Sequence, residues 1–422
     1  MGRNMALPIN GIGASGEPPR PGRAYRVAGL FAGVGGIELG LERAGHEAEL
    51  LCENDPPAMA VLGERFAQSQ LHSDIRNLEA LPPDTELVTA GFPCQDLSQA
   101  GQTAGISGAR SGLVGEVIRL IEKAQPTWVL LENVPFMLQL SRGMAMEVIV
   151  RAFEELGYRW AYRVVDTRSF GLPQRRRRVY FVASRSDDPR TILFADEAEA
   201  PTAPADHRSY ACGFYWTEGV RGLGWAVDAV PTLKGGSAVG IPSPPAILLP
   251  SGDVVKPDIR DAERLQGFPV DWTGPAEAAG KKSFRWKLVG NAVSVPAAEW
   301  LGERFLEPGA VRPFEIWPFK AGMPWPTAAW NVGDGRFVVN ASEWPKRYES
   351  SHLADFLSYE PQPLSVRATA GFLSRTQKGR LRFPPGFIQA IEAHLERIKV
   401  GTSASDKMDE PLTQFASANA AR

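Results

Sequence analysis

The chain reads as an α/β protein, built on a mostly parallel sheet with helices on both faces, and two observations lead there. From Tyr25 to about Ser184 short apolar runs alternate with longer stretches of helical period, the pattern of strands buried on both faces and joined by crossover helices. An apolar content of 44% in 422 residues can bury a sizeable core. The residues that could do chemistry sit just beyond the apolar runs, at the carboxyl ends of the strands, where sheets of this kind bind ligands.

The first run, "YRVAGLF", passes directly into "AGVGGIELGL", a bend from strand to helix. Gly33, Gly35 and Gly36 would let a ligand approach the backbone closely. As a dinucleotide fingerprint the bend is incomplete, because Glu38 stands where the third glycine belongs, so a tight turn and a nucleoside-cofactor site are both open. The second run, "AELLCEN", ends in Glu53, an acid placed to bind ribose hydroxyls. Asp74 in "HSDIRNL" fits either a helix N-cap or a partner for an adenine amino group.

"LVTAGFP" leads to Cys94, set between a proline and a glutamine and followed by a glycine- and serine-rich stretch to Gly112. A structural cysteine has apolar neighbours on both sides, so this setting suggests chemistry. "GLVGEVIRLIEKA" and "AMEVIVRAFEELG" carry helical spacing, and between them "WVLLENV" ends in Glu132. That acid is a candidate proton donor or a carboxylate paired with an arginine at the sheet edge. The last run, "RVYFVAS", follows four consecutive arginines, Arg175 to Arg178.

Net charge is -2 from 46 basic and 48 acidic residues, which makes no case for nucleic acid from the whole chain. Residues 151–190, however, hold ten arginines against five acids. That is either a nucleic-acid footprint or a solvated loop. The three cysteines, Cys52, Cys94 and Cys212, are odd in number and widely spaced, which supports neither a disulfide framework nor a paired-cysteine zinc site. A reducing cytoplasm and no bound metal are the expectations. No apolar run approaches the roughly 20 residues of a membrane helix, and the first residues lack a signal-peptide core.

These patterns divide the chain into a flexible tail over 1–24, a first domain over 25–185 and an irregular, β-rich module over 186–257. A helical return segment with Pro296 near a helix start spans 258–306, followed by an extension of unassigned role over 307–400 and a disordered tail over 401–422. The extension holds a candidate strand at "RFVVN", an amphipathic helix "GFIQAIEAHLERIK", and a basic, aromatic stretch, "GFLSRTQKGRLRFPPGF", suited to DNA phosphates or to packing.

Taken in order, "FAGVGG", "CEND", "SDI", "GFPCQDLS", "LLENVP", "QRRRRVYFVA", "RLQGFP" and "GNAVSVP" resemble the ordered motifs of DNA cytosine-5 methyltransferases of the bacterial restriction-modification type, over roughly residues 27–306. The resemblance implies a Rossmann-like methyltransferase fold using S-adenosylmethionine, with a small target-recognition module at 186–257. It implies a monomer that acts on double-stranded DNA, either beside a cognate restriction endonuclease or as a solitary enzyme.

Cys94 matches the nucleophile that adds to carbon 6 of cytosine, and Glu132 matches the acid that holds ring nitrogen 3 and the amino group. Arg178 matches the arginine at the carbonyl oxygen, with Arg176 beside it. Phe31, Gly33, Gly35 and Gly36 would line the cofactor, Glu53 and Asn54 its ribose, and Asp74 with Ile75 its adenine. Asn291 and Val293 match a segment that returns beside the glycine turn. Gln95, Ser98, Arg110, Gln174, Thr232, Leu233, Gly235 and Gly236 are the expected DNA contacts, and the stretch from Gln95 to Gly112 would close on a flipped-out base. An RNA cytosine-5 methyltransferase is the alternative, although the Cys-Phe-Thr triplet of tRNA-modifying relatives is absent. A non-catalytic relative and a dinucleotide-dependent oxidoreductase are weaker readings.

Overall fold

A computed structural model describes residues 23–93, 112–202, 207–236, 244–281, 283–320 and 322–408. Cys94, Gln95, Ser98, Arg110 and the proposed closing segment lie outside the described residues, as do the tail to residue 22 and residues 409–422.

Five strands form the parallel half of the central sheet: β1 (Arg26–Leu30), β2 (Glu47–Cys52), β3 (Gln70–His72), β4 (Leu87–Ala90) and β5 (Trp128–Asn133). They lie in the order β3-β2-β1-β4-β5. β4 and β5 are buried along their whole length, as strands covered on both faces must be. One face packs on α1 (Gly36–Arg43), where Ile37 and Leu41 meet Val27, Leu87 and Leu130. α2 (Pro56–Arg65) starts on prolines, whose missing N–H costs nothing in a first turn. The other face packs on α3 (Gly112–Ala124) and α4 (Met144–Glu155) through Val117, Ile121, Ile149 and Phe153.

Beyond β5 the sheet changes character. β6 (Arg159–Asp166), a stretch given no element in the sequence reading, lies outermost of a hairpin-like pair, and β8 (Arg177–Ser184) inserts antiparallel between it and β5. The two-residue β7 (Gln174–Arg175) interrupts their connection. The helical crossover through α4 brings β6 back in the direction of β5, whereas the link from β6 to β8 is too short for a crossover and must reverse.

The β-rich module over 186–257 contributes β9 (Cys212–Phe214), β10 (Ala226–Val227), β11 (Val230–Pro231), β12 (Ala246–Leu248) and β13 (Val254–Lys256), with β11 pairing to β7. The return segment holds α5 (Ile259–Leu265), α6 (Phe284–Asn291) and α7 (Val295–Leu306). α7 lies beside α1 on the sheet, with Ala298, Leu301 and Phe305 in the same apolar cluster.

The extension after residue 306 corrects two expectations. Its β14 (Ile316–Pro318), β15 (Ala328–Asn331) and β16 (Phe337–Val339) continue the central sheet in the order β6-β15-β16-β14, all antiparallel, so the ten-stranded sheet is mixed. Its second half belongs elsewhere: β17 (Gln362–Pro363) pairs with β13, and α8 (Val366–Thr376) and α9 (Phe387–Met408) bury Phe372, Phe387 and Ile391 against Phe214 and Val254. The β-rich module read over 186–257 therefore continues into the extension. α9 also runs past residue 400, into the segment expected to be disordered. Arg163, fully buried on β6, ties these parts together by donating to the carbonyls of Ser342, Leu193 and Asp196 and pairing with Glu197.

Candidate active site

Strand register alone assembles the site. Leu30 pairs with Cys52 and with Ala90, and Ala90 with Leu131. One residue further on, Glu53, Phe31, Gly91 and Glu132 therefore form a single row across four strands at the carboxyl edge. Glu132 pairs across to Tyr180, and Arg178, two residues from Tyr180, emerges on the same face. A Cβ built on Gly91 would stand 3.6 Å from Oε2 of Glu132 and 3.9 Å from the carbonyl of Phe31, so these strand ends are close neighbours. Pro93, the last described residue before Cys94, lies two residues past Gly91.

Glu132 is buried, and Nε of Arg178 lies 2.8 Å from its Oε1. Of the two readings open from the sequence, the structure has the carboxylate paired with arginine. The pairing is close but not directed, since among the described residues Oε1 accepts no hydrogen bond and Arg178 Nη1 turns to the carbonyl of Arg177. A buried acceptor and a buried fork of donors beside the sheet edge form a site for a planar group with both donor and acceptor edges.

Asn133, next along β5, was not singled out by the sequence. Its amide donates to the carbonyl of Phe92 at 3.0 Å, and its oxygen accepts the N–H of Val134 at 2.9 Å. That clamp fixes the end of β4, from which Cys94 follows, against the strand bearing Glu132. The signal was present in the "EN" ending of the strand, an asparagine with no reason to be buried except its hydrogen bonds.

At the other end of the row, Phe31 takes φ of 56°, Gly33 58° and Gly35 77°, which carries the chain from β1 into α1. Glu53 organises this turn: Oε2 accepts from the N–H of Gly33 at 2.9 Å and Oε1 from those of Asn54 and Asp55 at 2.8 Å. A Cβ on Gly33 would meet nothing within 4 Å among the described residues, so the backbone there borders space that they leave open. Gly36 is needed for another reason, since its Cβ would stand 2.9 Å from the carbonyl oxygen of Val293. The return segment thus lies directly beside the glycine turn. Val293 is buried, and Asn291 ends α6 exposed. A glycine turn bordering open space, with a carboxylate holding it and an aromatic ring half-buried at its edge, fits a nucleoside cofactor.

Asp74 is the N-cap of the short helical turn that begins with the buried Ile75, accepting the N–H of Arg76. The Arg76 side chain also forks onto it, holding its carboxyl down at about 2.

Several expected contacts have other work. Gln174 is fully buried: its amide donates to Leu265 and Gln266, and its oxygen accepts the N–H of Leu233. It joins β7 to the β-rich module and the return segment, with its side-chain amide taken up by these internal hydrogen bonds. Leu233 is itself buried, and Gly235 exists for packing, because its Cβ would lie 2.3 Å from Oδ1 of Asn291. Thr232 is half-buried, and its hydroxyl donates to the carbonyl of Arg175. Gly236 takes φ of 130° at the last described position of its loop.

Arg176, read as part of the catalytic set, is 1% exposed and donates to the carbonyls of Leu233, Gly290 and Ala292. Burial, followed by repulsion from Arg178, pushes its guanidinium down to about 9. It is a strut holding two segments behind Arg178.

Residues 25–211 match the family model described as C-5 cytosine-specific DNA methylase. The chain is 47% identical over 387 residues to the Type II methyltransferase M2.BsuMI of Bacillus subtilis (strain 168), covering 88% of this chain and 98% of that protein. It is 30% identical over 310 residues to the Type II methyltransferase M.Bsp6I of Bacillus sp. (strain RFL6), covering 66% of this chain and 97% of the relative.

Proposed function

The chain belongs to the C-5 cytosine-specific DNA methylases, and from that premise we propose that Cys94 attacks carbon 6 of a cytosine turned out of duplex DNA. The observation that carries the reading is the row at the sheet edge, in which Glu132 and Arg178 stand beside the strand end leading to Cys94. Extruding the base costs a few kcal/mol and leaves its polar edge in need of partners. Arg178 donates to the ring carbonyl oxygen, while Glu132 engages ring nitrogen 3 and the amino group.

Attack by the Cys94 thiolate forms the carbon–sulfur bond and pushes an electron pair towards carbon 5, which becomes nucleophilic. Phe31, Gly33, Gly35, Gly36, Glu53, Asn54, Asp74 and Ile75 would hold S-adenosylmethionine, whose sulfonium would supply the methyl group to carbon 5 and leave as the thioether S-adenosylhomocysteine. Loss of the carbon 5 proton to a base then expels Cys94 and restores the ring. Val293 backs the glycine turn, with Asn291 two residues before it in the same returning segment, and Asn133 positions the nucleophile's strand.

The Type II relatives favour a restriction-modification setting, with a cognate endonuclease as functional partner. Among the described residues no helix is long and apolar enough to cross a membrane. We place the enzyme in the cytoplasm, acting as a monomer.

Purified protein incubated with duplex DNA and methyl-labelled S-adenosylmethionine should transfer label to carbon 5 of cytosine, and Cys94→Ala should not. DNA carrying 5-fluorocytosine at the target should trap a Cys94 adduct, because fluorine cannot leave as a proton does. Full transfer by Cys94→Ala, methyl on the exocyclic nitrogen, or RNA as the accepted substrate would overturn the reading.

A further inference from the structure

Between Glu360 and Glu392 the chain carries five cations, Arg367, Arg375, Lys378, Arg380 and Arg382, and no acid. The last three lie in the turn between α8 and α9, which pack on the recognition sheet through Phe372 and Phe387. Arg375 is committed to structure, donating to the carbonyls of Glu218 and Trp216. Gly379 allows the approach: a Cβ there would stand 2.9 Å from the carbonyl oxygen of Gly219 and 3.0 Å from Cα of Val220. The turn is therefore locked against the 215–222 loop of the recognition module.

On the outer side of this junction Lys378, Arg380, Arg382 and, from the recognition loop, Arg221 are all exposed, and among the described residues none has a side-chain partner. The acid of that loop, Glu218, is already paired with Lys234. Arg285, by contrast, is neutralised by Glu263, Asp271 and Glu277, and Arg336 by Glu147 and Glu154. Four uncompensated cations from two segments distant in sequence make a local positive field on a protein of net charge -2.

The ridge is also joined to the candidate active site by direct contacts. Glu218 holds Lys234, the residue before it, Leu233, accepts from Arg176 through its carbonyl, and Arg176 stands two residues from Arg178.

We propose that Arg221, Lys378, Arg380 and Arg382 form a phosphate-binding ridge for the duplex flanking the target cytosine, built jointly by the recognition module and the C-terminal extension. The proposal rests on the methylase reading for its substrate. Long cationic side chains on exposed turns read charge rather than bases, so the ridge adds affinity and orientation without sequence information.

The test is equilibrium binding of the full-length protein to a short DNA duplex across a range of salt. Removing one cation from a phosphate should lower the slope of log affinity against log salt by about 0.9, so Lys378→Gln/Arg380→Gln/Arg382→Gln should flatten it by about 2.7 and bind more weakly at low salt. Arg221→Gln, on the other loop, should flatten it by about 0.9. The exposed cations Arg312 and Lys320, beside the central sheet, serve as controls, and Arg312→Gln/Lys320→Gln should leave the slope unchanged. Thermal unfolding of each variant should match the parent.

An unchanged slope in the triple variant and in Arg221→Gln overturns the ridge, as does a changed methylation sequence, which would mean that the ridge reads bases. Loss of RNA binding with DNA binding intact also overturns it. Absence of methyl transfer by the parent protein defeats the methylase reading instead, and the salt slopes still decide the ridge.

Discussion

Glu38 offers a test of the physics beneath the site. It lies in the first turn of α1, 1% exposed, under β1 and β4. The hydroxyl of Thr89 donates to its Oε1 at 2.8 Å, and its Oε2 has no partner among the described residues. Gly29 makes the room, since a Cβ there would stand 2.4 Å from Oε1. Burial pushes the carboxyl up from 4.5 to about 7, against the lowering effect of its hydrogen bonds.

The folded protein therefore holds this proton more tightly than the unfolded chain. The stabilising contribution is full below pH 4.5 and is lost as pH rises to about 7. The interval from 4.5 to about 7, at about 1.4 kcal/mol per tenfold change in proton affinity, amounts to roughly 3 kcal/mol. Glu38→Gln keeps the shape and the acceptor for Thr89 but removes the titration. Urea unfolding of both proteins at pH 5, 6, 7 and 8 should show the variant gaining on the parent with rising pH, by roughly 3 kcal/mol overall. An amide N–H in place of the unpartnered oxygen adds an offset of about 1 kcal/mol that does not vary with pH. Stability differences that stay constant from pH 5 to 8 would refute the reasoning.

Two further substitutions probe the assembly. Asn133→Ala removes the clamp on the Phe92 carbonyl and should cost about 1–3 kcal/mol of stability. By loosening the strand end that leads to Cys94, the proposed nucleophile, it should also lower single-turnover methyl transfer by about a hundredfold. An unchanged rate would assign Asn133 to stability alone. Gly290→Ala places a Cβ 2.1 Å from the carbonyl carbon of Lys234 and should lower stability by about 1–3 kcal/mol, read by thermal unfolding. An unchanged midpoint would show that the loop at Lys234 and Gly235 is not seated on α6.

Much of the site was legible because its signals are local. A glycine turn after an apolar run, an acid ending the next one and a Glu-Asn pair ending a third each announce a strand end. The parallel register then carries Glu53, Phe31, Gly91 and Glu132 into one row without further instruction. The "QRRRR" run shows where this stops. By composition Gln174, Arg176 and Arg178 are alike as polar groups near nucleic acid. In the fold Gln174 and Arg176 are spent on carbonyls and amides of segments 57 to 116 residues away, and Arg178 among the three reaches Glu132.

The extension was the least legible part for a similar reason. Its strands are two to four residues long, and no period in so short a run says which sheet edge it joins. Edge β6 and edge β13 each offered unpaired backbone, and the chain supplied strands to both.

The amino-acid sequence alone determined the parallel half of the sheet, the glycine turn and the acids at its strand ends, because hydrophobic period and turn chemistry act over a few residues. Only the tertiary structure decided that the sheet is mixed, that Arg176 and Gln174 are internal struts, and that the C-terminal extension completes the smaller β-sheet. Those outcomes depend on which distant backbone groups need hydrogen-bond partners once buried, and that is set when the segments meet.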